Sequence, residues 1–377
     1  MDATTLAKIL ISINTENPPG NEKEMVKFLT NFLEKEGFSV YTQNVNGREN
    51  VIAYSSKPKD AVLMLNAHMD TVPIGEKKNW KFNPLGEIKG KKLYGRGACD
   101  VKGAMAAAII AGMEAIKEKL DKGFVFVFTC DEETLSEGAI CLAKNKRKFL
   151  KNVKYAIITE PTNLKIVSCH KGVIQFLIKF FGKSAHASKP ENGVNAIYNA
   201  VDFIREIRKF YEKVNKSHYI LGKPTFNVGI IKGGSKSNVV PNYCEIEIDR
   251  RIIPGENLMG VKYEFEKIIK KLRDKNKNFK AEIDVVTSHP AFFTPEKSDI
   301  VKNVSAVLKK LKMDANPIGV SYYTEAEIFS RTAKIDSIVI GPGNAKNAHT
   351  VDEFIKISDI QKAKEIYKEI IFSFCKN

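Results

Sequence analysis

The 377-residue chain has no cysteine pair spaced CxxC and no apolar run near the ~18 residues needed to cross a bilayer. Its six cysteines (Cys99, Cys130, Cys141, Cys169, Cys244 and Cys375) are scattered, and most stand beside apolar residues. That pattern excludes a thiolate metal knuckle and a disulfide framework, and implies buried thiols in a reducing compartment. The opening MDATTLAKILISINTENPPG lacks a basic start and a long apolar centre, so no secretory leader is expected. The expectation is a cytoplasmic protein with no membrane partner. There is one tryptophan, no internal repeat and no low-complexity segment.

Acidic charge is the scarcer sign: 44 Asp and Glu stand against 60 Lys and Arg, a formal net charge of +16. The excess is concentrated in KNKRKFLKNVK (144–154), KLRDKNKNFK (271–280) and KKLK (309–312). No nucleic-acid motif accompanies these clusters, so they read as solvated lysine faces, and no nucleic-acid partner is expected. A basic field of this kind also favours an anionic small substrate.

What is present is an alternation of helix and strand. Residues 2–37 read as two helices broken by NPPG at 17–20, and strands follow at 38–45, 50–54 and 61–66. A long loop at 71–92 precedes a helix at 102–119, a strand at 124–130, a helix around 136–149 and a strand at 154–159. This order predicts an α/β fold whose mainly parallel sheet is covered by helices. From about residue 172 the order becomes β-α-β-β-α-β, with strands at 173–182, 225–232, 243–251 and 280–286. It predicts an inserted α+β domain, a four-stranded antiparallel sheet with two helices. Residues 298–377 return to α/β texture. The expected division is therefore 1–171 with 288–377, interrupted by 172–287.

The stretch FVFVFTCDEE (124–133) sets three adjacent acids at the mouth of an apolar strand. Crowded carboxylates repel and resist desolvation unless cations neutralise them. Other expected strand ends deliver His68 and Asp70, Glu160, and, after SIVIGPG, His349, while GRGACD brings Asp100 to a helix start. Ligands bind beyond the carboxyl ends of parallel strands. The set therefore predicts two divalent cations, with imidazole and carboxylate ligands favouring Zn²⁺ and Co²⁺ over Ca²⁺ or Mg²⁺. His68, Asp100 and Glu160 are assigned to one ion, and Asp100, Glu133 and His349 to the other. Glu132 is left as general base, and Asp70 is expected to fix the tautomer of His68.

Read as a series, HMDTVP (68–73), LYGRGACDVKGA (93–104), DEE (131–133), EPT (160–162), GKSAHAS (182–188), NVVP (238–241), IDRRIIPG (248–255), YTEA (323–326) and GPGNAKNAHTVDE (341–353) resemble the M20 family of co-catalytic zinc amidohydrolases, at the branch of acetylornithine deacetylase and succinyl-diaminopimelate desuccinylase. The resemblance covers nearly the whole chain. It implies an amidohydrolase acting on an N-acyl amino acid, with the inserted domain serving as lid and as the contact of a homodimer. It also implies that Asp100 bridges the ions, that Glu132 is the base, and that His186 stabilises the oxyanion. Asn238, Arg251 and Gly343 fall at substrate-binding positions. Strand alternation puts Arg251 on the face opposite Ile246, Ile248 and Arg250. Two departures stand out: Val101 and Ala104 in CDVKGA, and the doubled Arg250-Arg251 followed by Ile252.

Overall fold

A computed structural model describes residues 1–376. The chain forms two compact units. One comprises Met1–Ser168, Thr294–Ile318 and the residues from Thr324 onward; the other comprises Cys169–Phe293 and Gly319–Tyr323.

The first unit is built on a sheet in the order Ser39–Val45, Arg48–Tyr54, Gly123–Thr129, Ala61–His68, Tyr155–Ile158 and Asp336–Val339. The last four strands of that order run parallel, and the first two are antiparallel additions. The parallel strands carry apolar side chains on both faces. All seven residues of GFVFVFT are buried, which is why this segment reads as an unbroken apolar run rather than an alternation. The Ala-rich helix Gly103–Ala115 lies close against the sheet. A Cβ on Gly112 would stand 2.4 Å from the Phe126 ring, so only glycine permits that approach. Helix Ala3–Ser12 begins where the Asp2 side chain accepts from Thr5 N–H at 2.8 Å. Among the described residues, no helix is long and apolar enough to cross a membrane.

The second unit is a four-stranded antiparallel sheet in the order Thr225–Gly233, Tyr243–Ile252, Gly172–Phe181, Lys280–His289. Helices Ala196–Glu212 and Leu258–Lys275 bury their apolar stripes in a core with Phe176, Phe180, Ile246 and Ile248. Along Tyr243–Ile252 burial alternates, with Arg250 on the buried face. Its guanidinium donates to Glu256 at 2.7 Å and to the Tyr211 hydroxyl at 2.7 Å, which offsets its desolvation.

The expected fold class is the observed one, with local differences. The segment at 136–149 is two helices, Glu137–Lys144 and Lys146–Phe149, separated at Asn145. The loop at 71–92 contains strand Glu87–Lys89, which joins Lys92–Tyr94 and Phe354–Lys356 in a small third sheet. Strand Val167–His170 was not anticipated, because four residues alternating apolar and polar give too short a signal. Strand Ala61–His68 runs two residues past its expected end, making His68 its last member.

Candidate metal centre

Three parallel strands deliver side chains to one edge. Ala61–His68 ends in His68, Gly123–Thr129 leads into Asp131, Glu132 and Glu133, and Tyr155–Ile158 leads into Glu160. A fourth, Asp336–Val339, leads through Gly341 and Gly343 toward His349. Asp100 comes from the turn before helix Gly103–Ala115, with extended rather than helical backbone angles.

These residues form two groups that share one member. Ligand atoms of His68, Asp100 and Glu160 lie within 4.8 Å of one another, as do those of Asp100, Glu133 and His349. One Asp100 oxygen is 3.0 Å from His68 Nε2, and the other is 3.4 Å from His349 Nε2. Glu160 is 3.6 Å from His68 Nε2, and Glu133 is 3.1 Å from His349 Nε2.

The electrostatics test whether cations fit here. Burial, followed by the Glu160 and Glu133 charges, pushes the Glu132 carboxyl well above the usual range. Burial and the Asp100 charge do the same to Glu160. Hydrogen bonds to Asp100 and Glu133 raise His349 to about 10. Burial opposes the ionisation of Asp100, but the two histidines outweigh it and hold its pKa low. The protein by itself thus binds extra protons to offset crowded acids. Four carboxylates (Asp100, Glu132, Glu133, Glu160) match the charge of two dications, and the donor set of imidazole and carboxylate suits such ions.

The immediate supports are visible. His68 Nδ1 donates to the main-chain carbonyl of Asp70 at 2.9 Å, which turns Nε2 toward Asp100 and Glu160 and would leave its lone pair for a cation bound there. The Asp70 carboxylate, to which the sequence pointed, faces the same Nδ1 at 3.6 Å. It also accepts from Glu132 N–H and Glu133 N–H at 3.1 Å each and from Asn17 Nδ2 at 2.8 Å. Asp70 thereby shapes the turn that separates Glu132 from Glu133, with Asp131 at φ +69°.

Several supporting residues escaped the sequence reading. Buried Glu353 accepts from Cys99 N–H at 2.8 Å, Asp100 N–H at 3.1 Å and Arg96 Nη1 at 2.6 Å, so it fixes the Asp100 turn. Asp352 accepts from Lys81 N–H and Phe82 N–H, tying the 71–92 loop to the His349 segment. Arg48 donates to Asp131 at 2.6 Å and also pairs with Glu22. For Asp352 and Glu353, which close AHTVDE, and for Asn17, which opens NPPG, the available signal was their place in the motifs; Arg48 and Glu22 had none.

Gly343 sits at φ +85°, where a Cβ would approach Cys99 Sγ to 2.7 Å, and its carbonyl accepts from Asn163 N–H at 2.7 Å. His186, Asn238 and Arg251 belong to the second unit. His186 is exposed, and its Nδ1 accepts from Ser188 N–H at 3.2 Å, which leaves Nε2 to carry the proton of a neutral ring. The Asn238 carbonyl accepts from Ala187 N–H at 3.0 Å, beside the His186–Val239 bridge. Arg251 makes a forked pair with Asp249 at 2.8 and 3.1 Å.

Comparison with known proteins agrees with this geometry. The profile of Peptidase family M20/M25/M40 matches residues 64–373. Acetylornithine deacetylase of Proteus mirabilis (strain HI4320) is 31% identical over 377 residues, covering 97% of this chain and 93% of that protein. The same enzyme of Buchnera aphidicola subsp. Acyrthosiphon pisum (strain APS) is 30% identical over 380 residues, with 97% and 94% covered. Among solved structures, aminopeptidase PepT of Bacillus cereus superposes with a TM-score of 0.82 at 20% identity, covering 98% of this chain and 97% of that one. The YXEP protein of Bacillus subtilis, described as a dinuclear metal binding peptidase, gives 0.74 at 17% identity, with 98% and 96% covered. A protein with this fold, this profile match and paired ligand groups at the sheet edge is a metallohydrolase, and the chain belongs to peptidase family M20.

Proposed function

We propose that the protein is a di-zinc deacylase that hydrolyses the amide bond of an N-acyl amino acid, with acetylornithine as its leading substrate. The observation that carries this reading is Asp100, whose two oxygens face two different histidines. The names of the relatives at 30–31% identity support the substrate class. In this reading His68, Asp100 and Glu160 hold one ion, and Asp100, Glu133 and His349 the other. When bound, such ions polarise a carbonyl and lower the pKa of water.

The chain's own groups do the rest. Glu132 takes the proton of the attacking water and later gives it to the leaving amine. Its burial beside Glu160 and Glu133 raises its proton affinity, as a proton carrier requires. Asp70 positions Glu132 through its amide and His68 through its carbonyl. His186 donates from Nε2 to the developing oxyanion, while Asn238, Arg251 and the Gly343 backbone contact substrate. Arg251 must exchange its Asp249 partner for a substrate carboxylate, or hold both.

The inserted domain, residues 172–287, acts in this proposal as a lid and as a homodimer contact. Strand Thr225–Gly233 is an edge strand with exposed Ile230 and Ile231, which suits pairing with a second copy. Six free cysteines, five of them buried, suit the cytoplasm. The deciding experiment assays zinc- or cobalt-loaded protein against acetylornithine, succinyl-diaminopimelate and simple dipeptides. Acetylornithine should be cleaved with the highest kcat/KM. Preference for either of the others would move the assignment within the family, and inactivity on all three would end it.

A further inference from the structure

A second concave site lies at the other edge of the same sheet. Its cavity has a volume of ≈ 740 Å³ and is bounded by the residues just before four parallel strands. Lys59 precedes Ala61–His68, Lys122 precedes Gly123–Thr129, Lys154 precedes Tyr155–Ile158, and Lys334 precedes Asp336–Val339. Lys146 and Lys151 bring the lysines that line it to six. Three aspartates also line it (Asp60, Asp121 and Asp336), leaving a formal excess of 6 − 3 = +3.

One of the six is already committed, since Lys146 Nζ donates to the Ala333 carbonyl at 2.6 Å. Among the described residues, none of the other five has a carboxylate within 4.0 Å. Lysines elsewhere in this unit do find one: Lys364 and Lys368 each lie 2.9 Å from Glu114. Orphan carbonyls at nearby helix ends attract cations, but each end carries only about half a charge. An excess of ammonium groups over carboxylates in one recess is the converse of the acid cluster at the opposite edge, and it calls for an anion.

The chemistry of the lining narrows the choice. It contains lysines but no arginine fork, so it offers point charges suited to phosphoryl oxygens rather than planar recognition of a carboxylate. The charges come from several strands around a wide recess, which suits more than one phosphoryl group. The single aromatic, Tyr155, is half-buried with its ring packed on Phe374 at 4.7 Å, leaving no platform on which bases would stack. We infer that the cavity framed by Lys59, Lys122, Lys154 and Lys334 binds a small oligophosphate anion at a site separate from the metal centre.

The test is calorimetric titration of the metal-loaded full chain with inorganic pyrophosphate, at low and at physiological salt. The comparison is with a Lys122→Ser, Lys154→Ser, Lys334→Ser variant, whose exposed substitutions leave the core untouched. Any pyrophosphate taken up by the metals gives the same heat in both proteins, so their difference reads the cavity. The expected result is a saturable event in the natural chain that weakens with salt and falls about tenfold or more in the variant. Superimposable isotherms overturn the inference. So does an equal loss when Lys270, Lys275 and Lys277 of the second unit are replaced by serine instead, because that outcome reports bulk charge and not a site.

Discussion

Neighbouring acids in this protein are separated by what their main-chain amides and side chains touch. Glu132 and Glu133 both donate their N–H groups to Asp70, yet only Glu133 carries its carboxylate to His349. We expect Glu132→Ala to retain both metals by elemental analysis while losing turnover by at least about 100-fold. Glu133→Ala should instead lose metal, and equal metal loss in both variants would refute the division of roles. The proton balance gives a second prediction. Carboxyls whose folded pKa is raised, Glu132 and Glu160, stabilise the metal-free fold below their ordinary value and cease to do so as pH rises through the folded value. Cations displace those protons. The gap in Tm between metal-loaded and chelator-treated protein should therefore widen from pH 5 to pH 8, and a gap that narrows would contradict the electrostatic account. The ligands themselves were legible as acids and histidines at strand ends. Glu353 was not, because its partners are main-chain amides about 250 positions earlier, and no side-chain pattern announces such a bond.

At the level of elements, legibility followed burial. Strand Gly123–Thr129 is apolar on both faces and helix Ala196–Glu212 shows a clear stripe, so both stood out in the sequence. Strands Glu87–Lys89, Lys92–Tyr94 and Phe354–Lys356 did not. They are three residues long, and two of them lie against a partner more than 250 residues distant. Helix Gly103–Ala115 gives the sharpest test of packing. Alanine at Gly112 would gain up to about 1 kcal/mol in helix propensity. Its methyl would nevertheless meet Phe126 at 2.4 Å, and overpacking costs roughly 1–3 kcal/mol. Gly112→Ala should thus lower the midpoint of denaturant unfolding, and Gly112→Val should lower it further. A more stable alanine variant would show that the helix can shift away from the sheet.

For the whole molecule, the α/β class and the antiparallel second sheet were readable because the order of helices and strands differs between segments. The association state was not, since an edge strand carries the same residues whether or not a second copy covers it. If the proposed dimer forms through the exposed outer strand, Ile231→Lys should turn it into a monomer in sedimentation without disturbing the fold. A sedimentation coefficient unchanged from that of the natural chain would refute that contact. The first unit also gathers acids where its parallel strands finish and lysines where they start. On a sulfonate resin or a silica bead the unit should settle lysine side down, with its reactive mouth turned toward the liquid. Adsorption of that kind would orient the protein for immobilised use without any tag.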